Sequence, residues 1–148
     1  MRTKHPAVID WFAVNHDEMT QLWQALKSSV ENEVKRFNDD QHRQELPRAK
    51  FYLISDGFQV CRTRGTMEQH LRERAGKKPQ PAKQYLNFRT DESFRGIKIT
   101  VDDMSAVYYR YGADDKGNRV FCALNHGAEF DPEGLAQKFL KPFLFDRA

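Results

Sequence analysis

Apolar residues at helical spacing occupy the first third of the chain and constrain its fold more than any other feature. From residue 19 to residue 37 they recur every three or four positions, so one side of a helix would be apolar for about five turns. The stripe consists of Met19, Leu22, Trp23, Leu26, Val30, Val34 and Phe37. Asn15 and Glu18 have the spacing of a capping box at its start. The pattern predicts a long amphipathic helix that packs against a core.

Further along the chain the apolar period changes to the alternation that is typical of antiparallel strands. The segment 50–63 predicts a hairpin with Asp56 and Gly57 as its two-residue turn, and both of its faces are apolar enough to be covered. The segments 84–89 and 96–101 alternate as well. Their inward residues would be Leu86, Phe88, Ile97, Ile99 and Val101, and their outward residues would include Tyr85, Arg89 and Lys98.

The segment 105–127 predicts a second hairpin, which turns at 114–117. We favour the register in which Ala113 faces Asn118, because it collects the more apolar residues on the inner side. That inner set is Val107, Tyr109, Tyr111, Val120, Cys122 and Leu124, and the outer set is Tyr108, Arg110, Arg119 and Phe121. A slip of one residue would exchange the two sides of a strand.

The remaining patterns complete a single α+β domain that spans residues 1–148. A short helix begins at Thr66 and ends at Gly76, and Leu71 would face inward from it. An exposed basic connector follows at about 76–83, and a C-terminal helix begins after Asp131. We therefore predict a mainly antiparallel sheet of five to seven strands, with a long N-terminal helix, a short middle helix and a C-terminal helix. The apolar run 7–14 fits either a strand or a short helix.

Composition excludes several classes of protein. The formal charge of +3 is a mild basic bias, which permits an anionic partner without requiring one. Cys61 and Cys122 are too few for a zinc site, and their apolar surroundings are typical of free thiols in a reducing compartment. No stretch approaches the ~20 apolar residues of a membrane span. We therefore predict a cytoplasmic protein with no cofactor and no membrane partner.

The outward residues of the predicted sheet combine aromatic rings with cations. They are Tyr85, Arg89, Lys98, Tyr108, Arg110, Arg119 and Phe121, and Lys77 and Lys78 of the connector would extend the basic area. Rings can stack on unpaired bases while cations neutralise phosphates, so we predict a non-enzymatic binding protein for nucleic acid or a nucleoprotein complex. The same residue types also stabilise ordinary exposed strands. The first alternative is a small regulator or inhibitor that docks on an acidic protein surface.

A second alternative is a small metal-dependent nuclease. His126 follows a predicted strand, and Glu129 and Asp131 come shortly before a helix, in an order similar to that of compact nucleases. The histidine lies on the second strand rather than the first, and no second histidine completes the set. The cluster Asn15–Glu18 also contains possible ligands, but its position favours helix capping. An enzyme is therefore the less favoured interpretation.

Overall fold

The structure confirms the α+β prediction, with three helices and a seven-stranded sheet. It is a computed structural model that describes residues 14–41, 49–63, 66–77, 83–91, 95–102, 105–124 and 127–145. The elements are α1 (His16–Gln41), β1 (Ala49–Ile54), β2 (Gly57–Thr63), α2 (Thr66–Arg74), β3 (Lys83–Asp91), β4 (Gly96–Val101), β5 (Val107–Ala113), β6 (Arg119–Ala123), β7 (Glu129–Phe130) and α3 (Pro132–Phe145). The apolar run 7–14 lies outside the described residues except for Val14.

The sheet is an antiparallel meander in which each strand pairs with its neighbours in sequence, in the order β1 to β7. Helices α1 and α3 pack on the same side of it, because their apolar residues join one core cluster with the inward residues of the strands. Leu71 of α2 is 55% exposed, so the prediction that it faces inward is wrong. We call the sheet surface opposite α1 and α3 the outer face.

The predicted capping box begins α1 as expected. The Asn15 N–H donates to Glu18 Oε1 over 3.1 Å, and the Glu18 N–H donates to Asn15 Oδ1 over 2.9 Å. The predicted stripe is buried, with Met19 and Trp23 partly buried at the edge of the core. The helix runs beyond residue 37 into the polar segment, where the Asn38 side chain accepts from the Ala49 N–H and donates to its carbonyl.

A group of aromatic rings connects α1 to the sheet. The Phe58 ring lies at the centre, with the rings of Trp23 and Phe88 each 4.8 Å away and the ring of Phe51 at 5.4 Å. On the other side of the core, Phe139 of α3 contacts Tyr109 edge to face. These large rings supply much of the buried apolar surface that holds both helices on one side of the sheet.

The turn of the first hairpin differs from the prediction by one residue. Ser55 and Asp56 form the loop, and Ile54 pairs with Gly57 at the start of β2. A Cβ on Gly57 would lie 1.9 Å from the Phe88 carbonyl oxygen, so glycine is needed here for close strand approach rather than for the turn. Each residue of β1 therefore pairs with a residue of β2 two positions away from the predicted one. Because side chains alternate with a period of two, the same residues still face inward and outward.

The register of the second hairpin is wrong by one residue, and this error exchanges the sides of β6. Ala113 pairs with Arg119 instead of Asn118. Asp114 explains the difference, because its Oδ1 accepts from the N–H groups of Lys116 and Asn118 while its own N–H donates to the Asn118 carbonyl. Gly117 lies in this loop at φ 82°, a conformation that favours glycine. The loop between Ala113 and Arg119 therefore has five residues instead of the predicted four.

Candidate functional site

The outer face carries a row of three predicted site residues on adjacent strands. Arg89 of β3 pairs directly with Lys98 of β4, and Lys98 pairs with Tyr108 of β5. We call these three residues the central row. Because neighbouring strands lie about 4.8 Å apart, the row covers about 10 Å across the sheet. Tyr108 is 36% exposed, and the two cations are half-buried.

Two cations directly opposite each other are unfavourable within a sheet, where like charges destabilise a cross-strand pair. Arg89 is partly compensated, since its Nη1 lies 2.9 Å from Asp56 Oδ1 at the hairpin tip. Both side chains of that ion pair are more than 40% exposed, so its contribution to stability is small. Lys98 has no ion pair with any residue that the structure describes. The central row therefore keeps a local excess of positive charge.

A polar row lies beside the central row on the same face. Gln59, Asn87 and Thr100 occupy neighbouring strands, and Gln59 Nε2 donates to Asn87 Oδ1 over 2.7 Å. Asn87 Nδ2 lies 3.4 Å from Thr100 Oγ1. Beyond this row, the predicted site residue Tyr85 pairs with Cys61. Asn87 is buried beneath the outer face, so Gln59 and Thr100 are the more accessible members of this row.

Arg110 is placed on the outer face as predicted, but it lies next to an acidic end of the sheet. It pairs with Cys122 on β6, and Cys122 pairs with Glu129 on β7. Burial, followed by the charges of Glu129 and Asp114, raises the pKa of the Cys122 thiol to about 11. Burial and the nearby aspartates also raise the pKa of Glu129. An anion on the outer face would therefore be repelled at this end.

Two predicted site residues do not belong to the outer face. Phe121 is fully buried in the core, with its ring 5.5 Å from that of Tyr111. Arg119 lies at the end of the inner side, where its Nε donates to Glu18 Oε2. This hydrogen bond and that of the Asn15 backbone hold the pKa of Glu18 below its usual value. Both corrections follow from the register of β6.

Lys50 and Tyr52 are outer-face residues that the sequence analysis missed. The first hairpin was expected to be covered on both sides, but Tyr52 is 43% exposed and Lys50 is exposed too. Tyr52 pairs with Gln59, so it extends the polar row to the edge of the sheet. The signal in the sequence was Gln59, a polar residue between the apolar residues Phe58 and Val60 of β2.

The basic connector and the proposed nuclease residues are only partly described. Lys77 is exposed just after Gly76, which ends α2 at φ 71°. Lys78 and His126 lie outside the described residues. Asp131 caps α3, since its Oδ1 accepts the Gly134 N–H over 2.7 Å. Within the described ranges, no three His, Cys, Asp or Glu side chains lie close enough to hold a metal ion.

A cavity of about 620 Å³ opens on the inner side, between the start of α1 and the ends of β3, β4 and β5. Trp23 and Tyr111 line its apolar part, and Asp91 and Arg95 contribute one charge of each sign beside the His16 ring. The Arg95 guanidinium is held by the Val14 carbonyl at 2.6 Å. The mixed charges do not select one class of ligand. No sequence motif indicated this cavity, because its lining comes from four separate elements.

None of the helices in the described residues is long and apolar enough to cross a bilayer. No protein-family model, no curated protein and no solved structure matches this chain.

Proposed function

We propose that this protein binds single-stranded nucleic acid on its outer face. The observation that carries the proposal is the central row, in which Arg89 and Lys98 stand directly opposite each other and Tyr108 follows on the next strand. A like-charge pair reduces the stability of a sheet, and a phosphate between the two cations would remove that penalty. The adjacent tyrosine supplies a ring on which an unpaired base can stack.

The rest of the outer face supports an extended ligand. In the polar row, the half-buried side chains of Gln59 and Thr100 flank the buried Asn87 and would be the groups that meet base edges. Tyr52 and Lys50 continue the same combination of ring and cation on β1. At the opposite end, Glu129 and the 114–118 turn are acidic, so the expected path of the strand runs from the central row towards β1. An open sheet suits unpaired bases better than a duplex, whose bases are already stacked.

Fluorescence anisotropy with a labelled single-stranded oligonucleotide over a salt series tests the proposal. Lys98→Ala should weaken binding and lower the slope of log affinity against log salt by about 0.7, the value for one phosphate contact of a single strand. Tyr108→Ala should lose about 1–3 kcal/mol of binding with little change in that slope. Lys116→Ala is the matched control, because this exposed lysine lies in the turn at the acidic end.

The control separates site binding from general basicity. If Lys116→Ala and Lys98→Ala reduce affinity equally, the outer face has no special role and the proposal is wrong. If the folded wild-type protein binds no oligonucleotide even at low salt, the outer face does not recognise nucleic acid. Duplex DNA that competes as well as the single strand would contradict the role given to base stacking.

A further inference from the structure

The edge of β1 that faces away from β2 presents backbone groups at two positions that have no hydrogen-bond partner among the residues that the structure describes. Ile54 and Gly57 flank a two-residue turn, so they exchange both of their backbone hydrogen bonds. By alternation, the N–H and C=O groups of Lys50 and Tyr52 also point towards β2. Those of Ala49, Phe51 and Leu53 point away from it. No described strand lies on that side of β1.

Asn38 closes one end of this edge. Its side-chain amide donates to the Ala49 carbonyl over 2.9 Å and accepts the Ala49 N–H over 3.0 Å. It therefore occupies both outward groups of Ala49 as a partner strand would. Within the described part of the chain, four outward backbone groups remain without a partner, the N–H and C=O of Phe51 and of Leu53. They form a short segment that could pair with another strand, and it ends at Ala49, whose backbone groups already bond to Asn38.

The side chains around these groups are unusually apolar for an edge strand. Leu53 is 68% exposed and Tyr52 is 43% exposed, and Lys50 is the only charged residue in β1. Edge strands of soluble proteins are commonly protected by several charges, a proline or a bulge. Between Ala49 and Ile54 only Lys50 offers such protection.

We infer that β1 pairs with β1 of a second copy of this chain, antiparallel about a twofold axis at Tyr52. The free groups select this register. Pairing Phe51 with Leu53 of the partner subunit, and the reverse, uses all four free groups in four hydrogen bonds. Moving the axis to Phe51 would require Ala49, which Asn38 occupies. Moving it to Leu53 would require Ser55, which lies in the turn.

Side-chain contacts and charge agree with this register. Leu53 would cover the Phe51 ring of the partner on the inner side, an aliphatic–aromatic pair that stabilises neighbouring strands. Tyr52 would face Tyr52 of the partner subunit on the outer side. Each Lys50 would face an Ile54, so the two ammonium groups would lie about 14 Å apart along the strands. Four hydrogen bonds and these few side chains make a small interface, which predicts a weak dimer.

Sedimentation velocity over a concentration series tests self-association without nucleic acid, so its outcome is independent of the proposed binding function. The wild type should change from monomer to dimer as its concentration rises. Leu53→Pro should remain a monomer, because proline removes an outward N–H but no hydrogen bond to β2. Leu53→Ala keeps that N–H and should retain part of the dimerisation. A wild type that stays monomeric at all concentrations would refute the inference.

Cysteine cross-linking tests the register and does not depend on how Leu53→Pro folds. Tyr52→Cys places two thiols opposite each other at the axis, within the Cα separation of a disulfide, and should give a covalent dimer with oxidised glutathione. Lys50→Cys is the matched control, since its thiol would face Ile54. The native cysteines are buried, so the wild type should not cross-link. Equal cross-linking of both variants, or none with Tyr52→Cys, would overturn the proposed pairing.

Discussion

Replacing Tyr109 by phenylalanine should stabilise the protein. Tyr109 is fully buried, and no described group forms a hydrogen bond with its hydroxyl. Its ring makes edge contacts with Phe130 and Phe139, at centroid distances of 5.9 Å and 6.0 Å. Phenylalanine keeps this ring and its contacts. The substitution therefore removes only a polar group that loses its hydration on folding and gains no partner.

The expected gain is about 1–3 kcal/mol, the penalty for a buried hydroxyl without a partner. For a chain of this length, each kcal/mol corresponds to a rise in Tm of about 2–4 °C. The gain should also depend on pH. Burial raises the pKa of Tyr109 from 10.0 to about 12. Between these two pH values the Tyr109 hydroxyl is therefore ionised in the unfolded chain but still protonated in the folded protein. Stability of the wild type then falls between about pH 10 and 12, and Tyr109→Phe lacks this loss.

Thermal and urea unfolding of both proteins, followed by circular dichroism at pH 7 and at pH 10.5, would measure these effects. Tyr111→Phe is the matched control, because Tyr111 is also buried but borders the cavity beside α1. That change should alter stability less at pH 7. If Tyr109→Phe lowers the unfolding free energy by 1 kcal/mol or more, about the net value of one intramolecular hydrogen bond, the hydroxyl has a partner in solution and the reasoning is wrong.

Three other substitutions test the packing and the charges. Phe121→Ala should cost about 3–5 kcal/mol in urea unfolding, because the ring is fully buried; a cost below 1 kcal/mol would restore the outward register of β6. Gly57→Ala should cost about 3 kcal/mol, since its Cβ would meet the Phe88 carbonyl, and unchanged stability would contradict that contact. Glu18→Gln should remove the part of stability that is lost as pH falls below 4.5, because the hydrogen bond from Arg119 lowers the pKa of Glu18; an unaltered acid titration of stability would refute this.

Long apolar patterns predicted the elements of this fold, because each pattern had many positions to support it. The stripe of α1 and the alternation in β3 and β4 placed every inward residue correctly. The capping groups Asn15 and Asp131 were recognisable from spacing alone. Shorter patterns were less reliable: Leu71 of the short α2 faces outward, and the register of β6, which depends on a single turn, was wrong. Loops of four and five residues differ little in composition, yet they place opposite sides of the next strand in the core.

The candidate site was predictable only where it did not depend on that turn. Tyr85, Arg89 and Lys98 lie on strands whose alternation is unambiguous, and they face outward as expected. Phe121 was misplaced because an aromatic residue fits either side of a strand, and β6 has apolar residues on both. The buried Val120 and Cys122 gave a misleading signal, since both lie on the outer side.

The proposed nucleic-acid surface is the outer face around the central row, whereas the proposed dimer contact is the edge of β1, and a dimer would place two such surfaces side by side. A twofold axis perpendicular to the sheet keeps both outer faces on the same side, so the dimer would have one continuous fourteen-stranded surface. The two central rows would then be separated by five strand spacings across β1, or about 24 Å. A long oligonucleotide could contact both rows, and its second contact would be intramolecular. Dimerisation would therefore strengthen the binding of long strands while leaving that of short strands unchanged. Because Leu53→Pro alters only the edge, it should abolish this length dependence without changing the affinity of a single outer face.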